Sequence, residues 1–239
     1  MVLMRSHEKT RLTATEKSAD IVSSPRSAAK YAVEAIGTFF LVFTVGAAVG
    51  SGSPLAPLAI GGVLMVMVYA GGHISGGHYN PAVTLAILVR RRISMRDAAR
   101  YWIAQFGAGL IAAAVVRWII DPDRATSPGT LTVPPHRLVA VFVVELLFTF
   151  ALCFVVFNVR TSKHQPDNSY YGLAIGFTVV SGAFAVGAIS GGAFNPSVTV
   201  AAAAAGLFAW PTLWVYLTAQ GIAATAAGIT FLALSPDDE

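Results

Sequence analysis

The sequence predicts an all-α membrane protein, with six spanning helices and two re-entrant half-helices arranged as an inverted repeat. Three observations predict it. Of the 239 residues, 55% are hydrophobic and only 12% charged, with a mean hydropathy of +0.66, whereas a soluble domain carries about 25% charged residues. The stretch His73–Ala86 recurs 115 positions later as Ala188–Ala201, with nine of 14 positions identical. Each copy is a polar, glycine-rich break ending in Asn-Pro within an otherwise apolar chain.

A spanning helix needs roughly 20 apolar residues, and six stretches qualify: 31–52, 56–75, 97–119, 137–159, 170–188 and 210–234. The repeat extends beyond the opening motif. Tyr101, Ala104 and Gln105 recur as Tyr216, Ala219 and Gln220, and Glu34 to Phe39 has an echo in Glu145 to Phe150 at an offset of 111. The chain therefore divides into units 31–119 and 137–234 of three spans each. An odd number of spans forces the second unit to enter the membrane upside down. Such repeats place their site at the shared interface near the midplane, in channels and transporters alike.

The breaks fall between spans. Irregular backbone at membrane depth is tolerated only where protein buries it or water reaches it. Ser75-Gly76-Gly77 and Ser190-Gly191-Gly192 are expected as extended backbone with carbonyls facing a wet path. Asn80 and Asn195 suit the N-cap, and Pro81 and Pro196 suit the first helical position, where no amide donor is needed. Helices over about 80–90 and 195–205 would be too short to cross. Each would aim the positive end of its dipole at one central point, repelling cations there. The two asparagine amides would hold the oxygen of a passing molecule and break a proton wire.

Charge sets the orientation. Thirteen of the 16 Lys/Arg residues lie in the tail, after the first motif, or in the 160–169 loop, leaving Arg117, Arg124 and Arg137 on the other face. That is the positive-inside asymmetry, with both termini cytoplasmic. The formal charge of +4 thus reports topology and not a nucleic-acid partner. The tail, residues 1–30, is expected to be a disordered cytoplasmic segment, neither signal peptide nor anchor, and 235–239 a short cytoplasmic C-terminus. Cys153 lies alone within a span and reads as a packed thiol.

These residues resemble the aquaporin (major intrinsic protein) family over nearly all of the chain after residue 30. The first motif, Ser75 to Thr84, follows the family pattern; the second reads Asn195-Pro196-Ser197 where the family has Asn-Pro-Ala. The resemblance implies a homotetramer with one pore per subunit in the cytoplasmic membrane. It also implies an outer selectivity filter, which ungapped alignment places on Ile60, Ala183, Gly192 and Val198. Val198 stands where the family carries arginine, and Ala183 where water-selective members carry histidine. An isopropyl group in place of a guanidinium removes a fixed charge and several donors, so the filter is expected to be wide and apolar. Thr199-Val200 departs from glycerol facilitators, which have Asp there, while Trp214 looks like the water-channel subgroup.

His78, Gly76, Gly77, Gly191 and Ala193 are assigned to the pore lining, and His73 to the loop leading in. Glu34 and Glu145 are intramembrane carboxylates, which by default suggest ion coupling. Their symmetric placement suggests instead that each braces a re-entrant loop by accepting its exposed amides, helped by Gln105 and Gln220. His73 and His78 have no third ligand nearby, so no metal and no cofactor are expected. No nucleophile–base pair or phosphate loop points to an enzyme. The expected function is a passive channel for water and small uncharged solutes such as glycerol, urea, ammonia, hydrogen peroxide or neutral metalloid hydroxides. The alternatives are an ion-coupled secondary transporter and a scaffold with a closed pore.

Overall fold

The computed structural model describes residues 28–122 and 131–238. The expectation for the tail lies outside the described residues, except that Ala28 to Lys30 already belong to the first helix. Six helices are long and apolar enough to span: α1 (Ala28–Gly50), α2 (Ala56–Ser75), α4 (Met95–Val115, extended by a π-turn to Ile120), α5 (Leu138–Val156, extended by a π-turn to Thr161), α6 (Tyr171–Ser190) and α8 (Leu213–Leu234). Between them lie the half-helices α3 (Pro81–Val89) and α7 (Pro196–Ala204). Among the described residues no strand forms; a single bridge pairs Leu131 with Phe208.

Each half-helix packs more closely on the last helix of the other repeat than on its own: α3 on α8 and α7 on α4. The two repeats are therefore interlocked. The α2–α6 crossing is close. A Cβ on Gly61 would meet the Gly176 carbonyl oxygen at 2.5 Å, and a Cβ on Gly176 would meet the Gly61 oxygen at the same distance. Backbones can approach this closely only where both helices carry small residues. Large apolar side chains on the outer faces, such as Ile103, Val139 and Phe184, are exposed to what the bilayer would occupy. The buried interior combines Val, Leu, Phe and Tyr with many alanines, and polar groups such as Glu34, Gln105, Glu145 and Gln220 are buried around the two breaks.

Gly176→Leu should force α2 and α6 apart and cost on the order of 1–3 kcal/mol, as overpacking does. Thermal unfolding in detergent would show a lowered midpoint; an unchanged midpoint would mean the crossing is looser than described.

Candidate pore

The break geometry differs from the extended backbone expected. Helix α2 continues through Ser75, and the chain then turns through left-handed residues: Gly76 (φ 94°), Gly77 (φ 68°) and Tyr79 (φ 47°). The second break repeats this at Gly191 (φ 84°), Gly192 (φ 66°) and Phe194 (φ 47°). Left-handed residues reverse the chain within four positions, where an extended run would overshoot the midplane. For Tyr79 and Phe194 this conformation is strained. Their rings are anchored in compensation: Tyr79 fills notches at Gly37 and Gly71, and Phe194 one at Gly182, all too tight for a Cβ. The Tyr79 hydroxyl also donates to the Met67 carbonyl at 2.9 Å.

Two carboxylates hold the turns. Glu34 Oε1 accepts from Ser75 Oγ (2.7 Å) and the His78 amide (2.9 Å), and Oε2 from the Tyr79 amide (2.7 Å) and Gln105 Nε2 (2.8 Å). Glu145 does the same for the second break. It accepts from Ser190 Oγ (2.7 Å), the Ala193 amide (3.0 Å), the Phe194 amide (2.8 Å) and Gln220 Nε2 (2.9 Å). Four donors per carboxylate match the lone pairs of both oxygens. Both carboxylates are fully buried, and such burial is tolerable only when the group is fully paired.

The asparagines lie where the loops meet. Asn80 Oδ1 accepts from the Ala82 amide at 2.8 Å and caps α3, while its Nδ2 donates to the Phe194 carbonyl at 2.9 Å. Asn195 Oδ1 accepts from the Ser197 amide at 2.9 Å and caps α7, while its Nδ2 donates to the Tyr79 carbonyl at 2.9 Å. Each side chain thus fastens its own half-helix to the opposite loop. One N–H of each Nδ2 is committed to this cross-bond.

A cavity of about 460 Å³ runs over both asparagines and is lined by Ile60, Ala183, Gly192 and Val198, with Gly77, His78, Gly191 and Ala193. Among the described residues that line it, only His78, Asn80 and Asn195 have polar side chains, and none is Lys or Arg. A second cavity of about 450 Å³ opens on the other side of His78 and is lined by Gly76, Ser75, Tyr101, Arg92 and Arg160, among others. His78 and Val156 line both cavities and so stand at the junction between them. The His78 Nδ1 lies 3.0 Å from Thr84 Oγ1.

A family model described as Major intrinsic protein matches residues 21–231. The chain is 37% identical over 215 residues to glycerol uptake facilitator protein-like 6 of Lactiplantibacillus plantarum, covering 87% of this chain and 99% of that protein. The chain belongs to the major intrinsic protein family. It is also 40% identical over 201 residues to aquaporin NIP2-1 of Oryza sativa, covering 80% of this chain and 65% of that protein. The solved aquaglyceroporin of Plasmodium falciparum shares the fold, with a TM-score of 0.70 at 18% identity over 86% of this chain and 95% of that one.

Against this family frame, several contributors to the site were not foreseen. The hydroxyls of Ser75 and Ser190 reach the carboxylates, and Tyr101 and Tyr216 donate to the Ser75 and Ser190 carbonyls at 2.6 and 2.8 Å. Each is duplicated in the repeat, which is the signal that could have found them. Ser197 replaces the family's alanine without touching the cavity: it is buried and donates to the Gln105 carbonyl at 2.7 Å, tying α7 to α4. His73 stands on the last turn of α2, just before the loop leading in, with an exposed side chain. His164 lies in an exposed loop.

The C-terminus is also more than a tail. Asp238 is buried and pairs with Arg90 at 2.8 Å, while its Oδ2 accepts from the Lys163 amide at 2.8 Å. Arg90 in turn stacks over Phe231 at 4.2 Å. This joins the end of α3, the α5–α6 loop and the C-terminus. Burial pushes the Asp238 carboxyl up, but the Ser162 and Lys163 hydrogen bonds and the Arg90 guanidinium more than offset it and hold it below the usual carboxylate range.

Two outcomes are expected. Glu145→Gln leaves two of the four donors facing an amide NH2, so unfolding should cost about 2–4 kcal/mol less, with reduced water flux per assembled protein in vesicles. Wild-type values for both would refute the bracing role. Asp238→Asn should lower the detergent unfolding midpoint at neutral pH. A depressed carboxylate stabilises fully above its unfolded value of about 3.9 and loses that contribution as pH falls through its folded value. The gap between wild type and variant should therefore be constant from about pH 5 to 8 and close in acid. A gap that widens in acid would show that the ion pair is not its source.

Proposed function

We propose that this chain is a passive channel for water and small uncharged solutes, with an outer filter formed by Ile60, Ala183, Gly192 and Val198. The single observation that carries this reading is a cavity crossing both asparagine caps whose described walls, apart from His78, are otherwise apolar. A solute entering from the outer side meets no guanidinium and no ring at the filter. It reaches the two asparagine amides at the centre, which orient its oxygen. Glycerol, urea, ammonia, hydrogen peroxide and neutral metalloid hydroxides are the cargoes this reading proposes. Relatives named for glycerol uptake and as aquaporins support this solute class.

An ion-coupled transporter would need titratable groups facing the pathway, and the two intramembrane carboxylates do not face it. Glu34 and Glu145 each spend all their acceptors on a loop, a serine and a glutamine, and neither lines the cavity. A closed scaffold is disfavoured because Ser197, one of the two departures that suggested it, turns its hydroxyl away into the α4–α7 contact. Family membership supports assembly as a homotetramer with one pore per subunit, and a channel without enzyme activity. The excess of Lys and Arg after α3 and in the α5–α6 loop supports a cytoplasmic-membrane orientation with both termini inside.

Reconstitution in liposomes tests this directly. Osmotic gradients of impermeant sugar, glycerol and urea should give flux independent of pH and sodium gradients; gradient-dependent uptake would favour a coupled transporter. Val198→Arg restores a charge and narrows the filter. It should cut glycerol flux by roughly tenfold or more, several times more than water flux. Equal loss of both in a normally assembled protein would remove Val198 from the filter.

A further inference from the structure

The pseudo-twofold that relates the repeats makes every position on one mouth comparable with a position on the other. At an offset of 111, Arg160 corresponds to Val49; at 115, Arg92 corresponds to Leu207. Val49 and Leu207 line the outer cavity, and Arg160 and Arg92 line the inner one. The backbone is duplicated while the charge is not.

Arg160 is held, not waving. It lies in the π-turn that ends α5, its Nη2 donates to the Gly72 carbonyl at 2.7 Å, and its guanidinium stacks over Tyr171 at 5.2 Å. Gly72 is one of the last-turn residues of α2, where the negative end of a helix dipole would otherwise attract a cation. The corresponding Gly187 lines the outer cavity with no such guard. Other charges face the inner mouth as well. Lys30 adds a positive charge, Asp97 is engaged by the Tyr31 hydroxyl at 2.6 Å, and Asp238 lies 3.5 Å from Arg92 while already paired to Arg90. The described charges at this mouth remain positive in sum.

We propose that the cytoplasmic mouth, where Arg160 and Arg92 hold positive charge, adds a barrier to cations beyond that of the central helix dipoles, in a pore whose described filter residues carry no charge. The proposal rests on the channel reading above. A unit charge within several ångströms of a narrow path is felt strongly by a partly desolvated cation and hardly at all by a neutral solute. Arg160 and Arg92 therefore discriminate by charge, while Val198 and Ala183 set size at the opposite end.

Urea and guanidinium are planar, similar in size and differ in charge, so they separate the two functions. The full chain is reconstituted in liposomes for urea and water flux, and in planar bilayers for guanidinium conductance. The wild type should pass urea and exclude guanidinium. Arg92→Gln with Arg160→Gln should raise guanidinium conductance by about tenfold while urea flux stays within about twofold. Adding Val49→Arg to that pair places the charge at the symmetry-related outer position and should restore exclusion.

A double variant with normal urea flux that still excludes guanidinium would overturn the proposal, as would a wild type that conducts it. If the neutral variants fail to assemble, salt serves instead. Screening to about 3 Å at 1 M should raise wild-type guanidinium permeation relative to urea, and salt-independent exclusion would overturn the assignment. Loss of all water and urea flux in the wild type would sink the channel reading itself, and this proposal with it.

Discussion

The structure depends on two carboxylates buried where a membrane protein can least tolerate them. A re-entrant loop exposes backbone amides at membrane depth, and those amides must be bonded or the loop cannot stay there. Glu34 and Glu145 each take two consecutive amides, a serine hydroxyl and a glutamine amide, so one side chain satisfies the turn and fixes it to α4 or α8. With the turns fixed, α3 and α7 start at the same depth, and their asparagine caps can reach across to each other's loop. The left-handed strain at Tyr79 and Phe194 is held in place by the same bonds, since both amides are carboxylate donors.

Duplication supplies the scaffold and local departure from it supplies the chemistry. The braces, caps and hydroxyl contacts match pair for pair across the repeats. The mouths do not. Inside, the α3 end and the α5 π-turn present arginines, and the Asp238 clasp locks that face together. At the other mouth the equivalent residues are valine and leucine, and among the described residues no Lys or Arg lines the cavity. Size selection and charge selection can then be placed at opposite ends of one path.

Much of this was legible in the residues. Span α2 falls on the stretch 56–75 read from hydropathy alone, and both half-helices start at the asparagine assigned as cap, because an Asn-Pro pair leaves few other conformations open. Glu34 and Glu145 could be read as braces because no symmetric pair of ion-coupling sites was needed. What escaped were features decided by packing between distant segments. The left-handed turns at Tyr79 and Phe194 depend on glycine notches in other helices, and no local propensity favours them. Ser197 reads as a defect in the motif until the Gln105 carbonyl is in view. The burial of Asp238 follows from an arginine 148 positions earlier, a separation no periodicity encodes.

The central claim is that the anchored loops leave a continuous wet path across the bilayer. The temperature dependence of osmotic water flux in proteoliposomes tests it most directly. An activation energy close to that of self-diffusion in bulk water is expected, since a molecule passing the asparagines exchanges hydrogen bonds one at a time. An activation energy equal to that of protein-free vesicles, in protein shown to be folded, would mean that water crosses through lipid and that the cavity over Asn80 and Asn195 is closed.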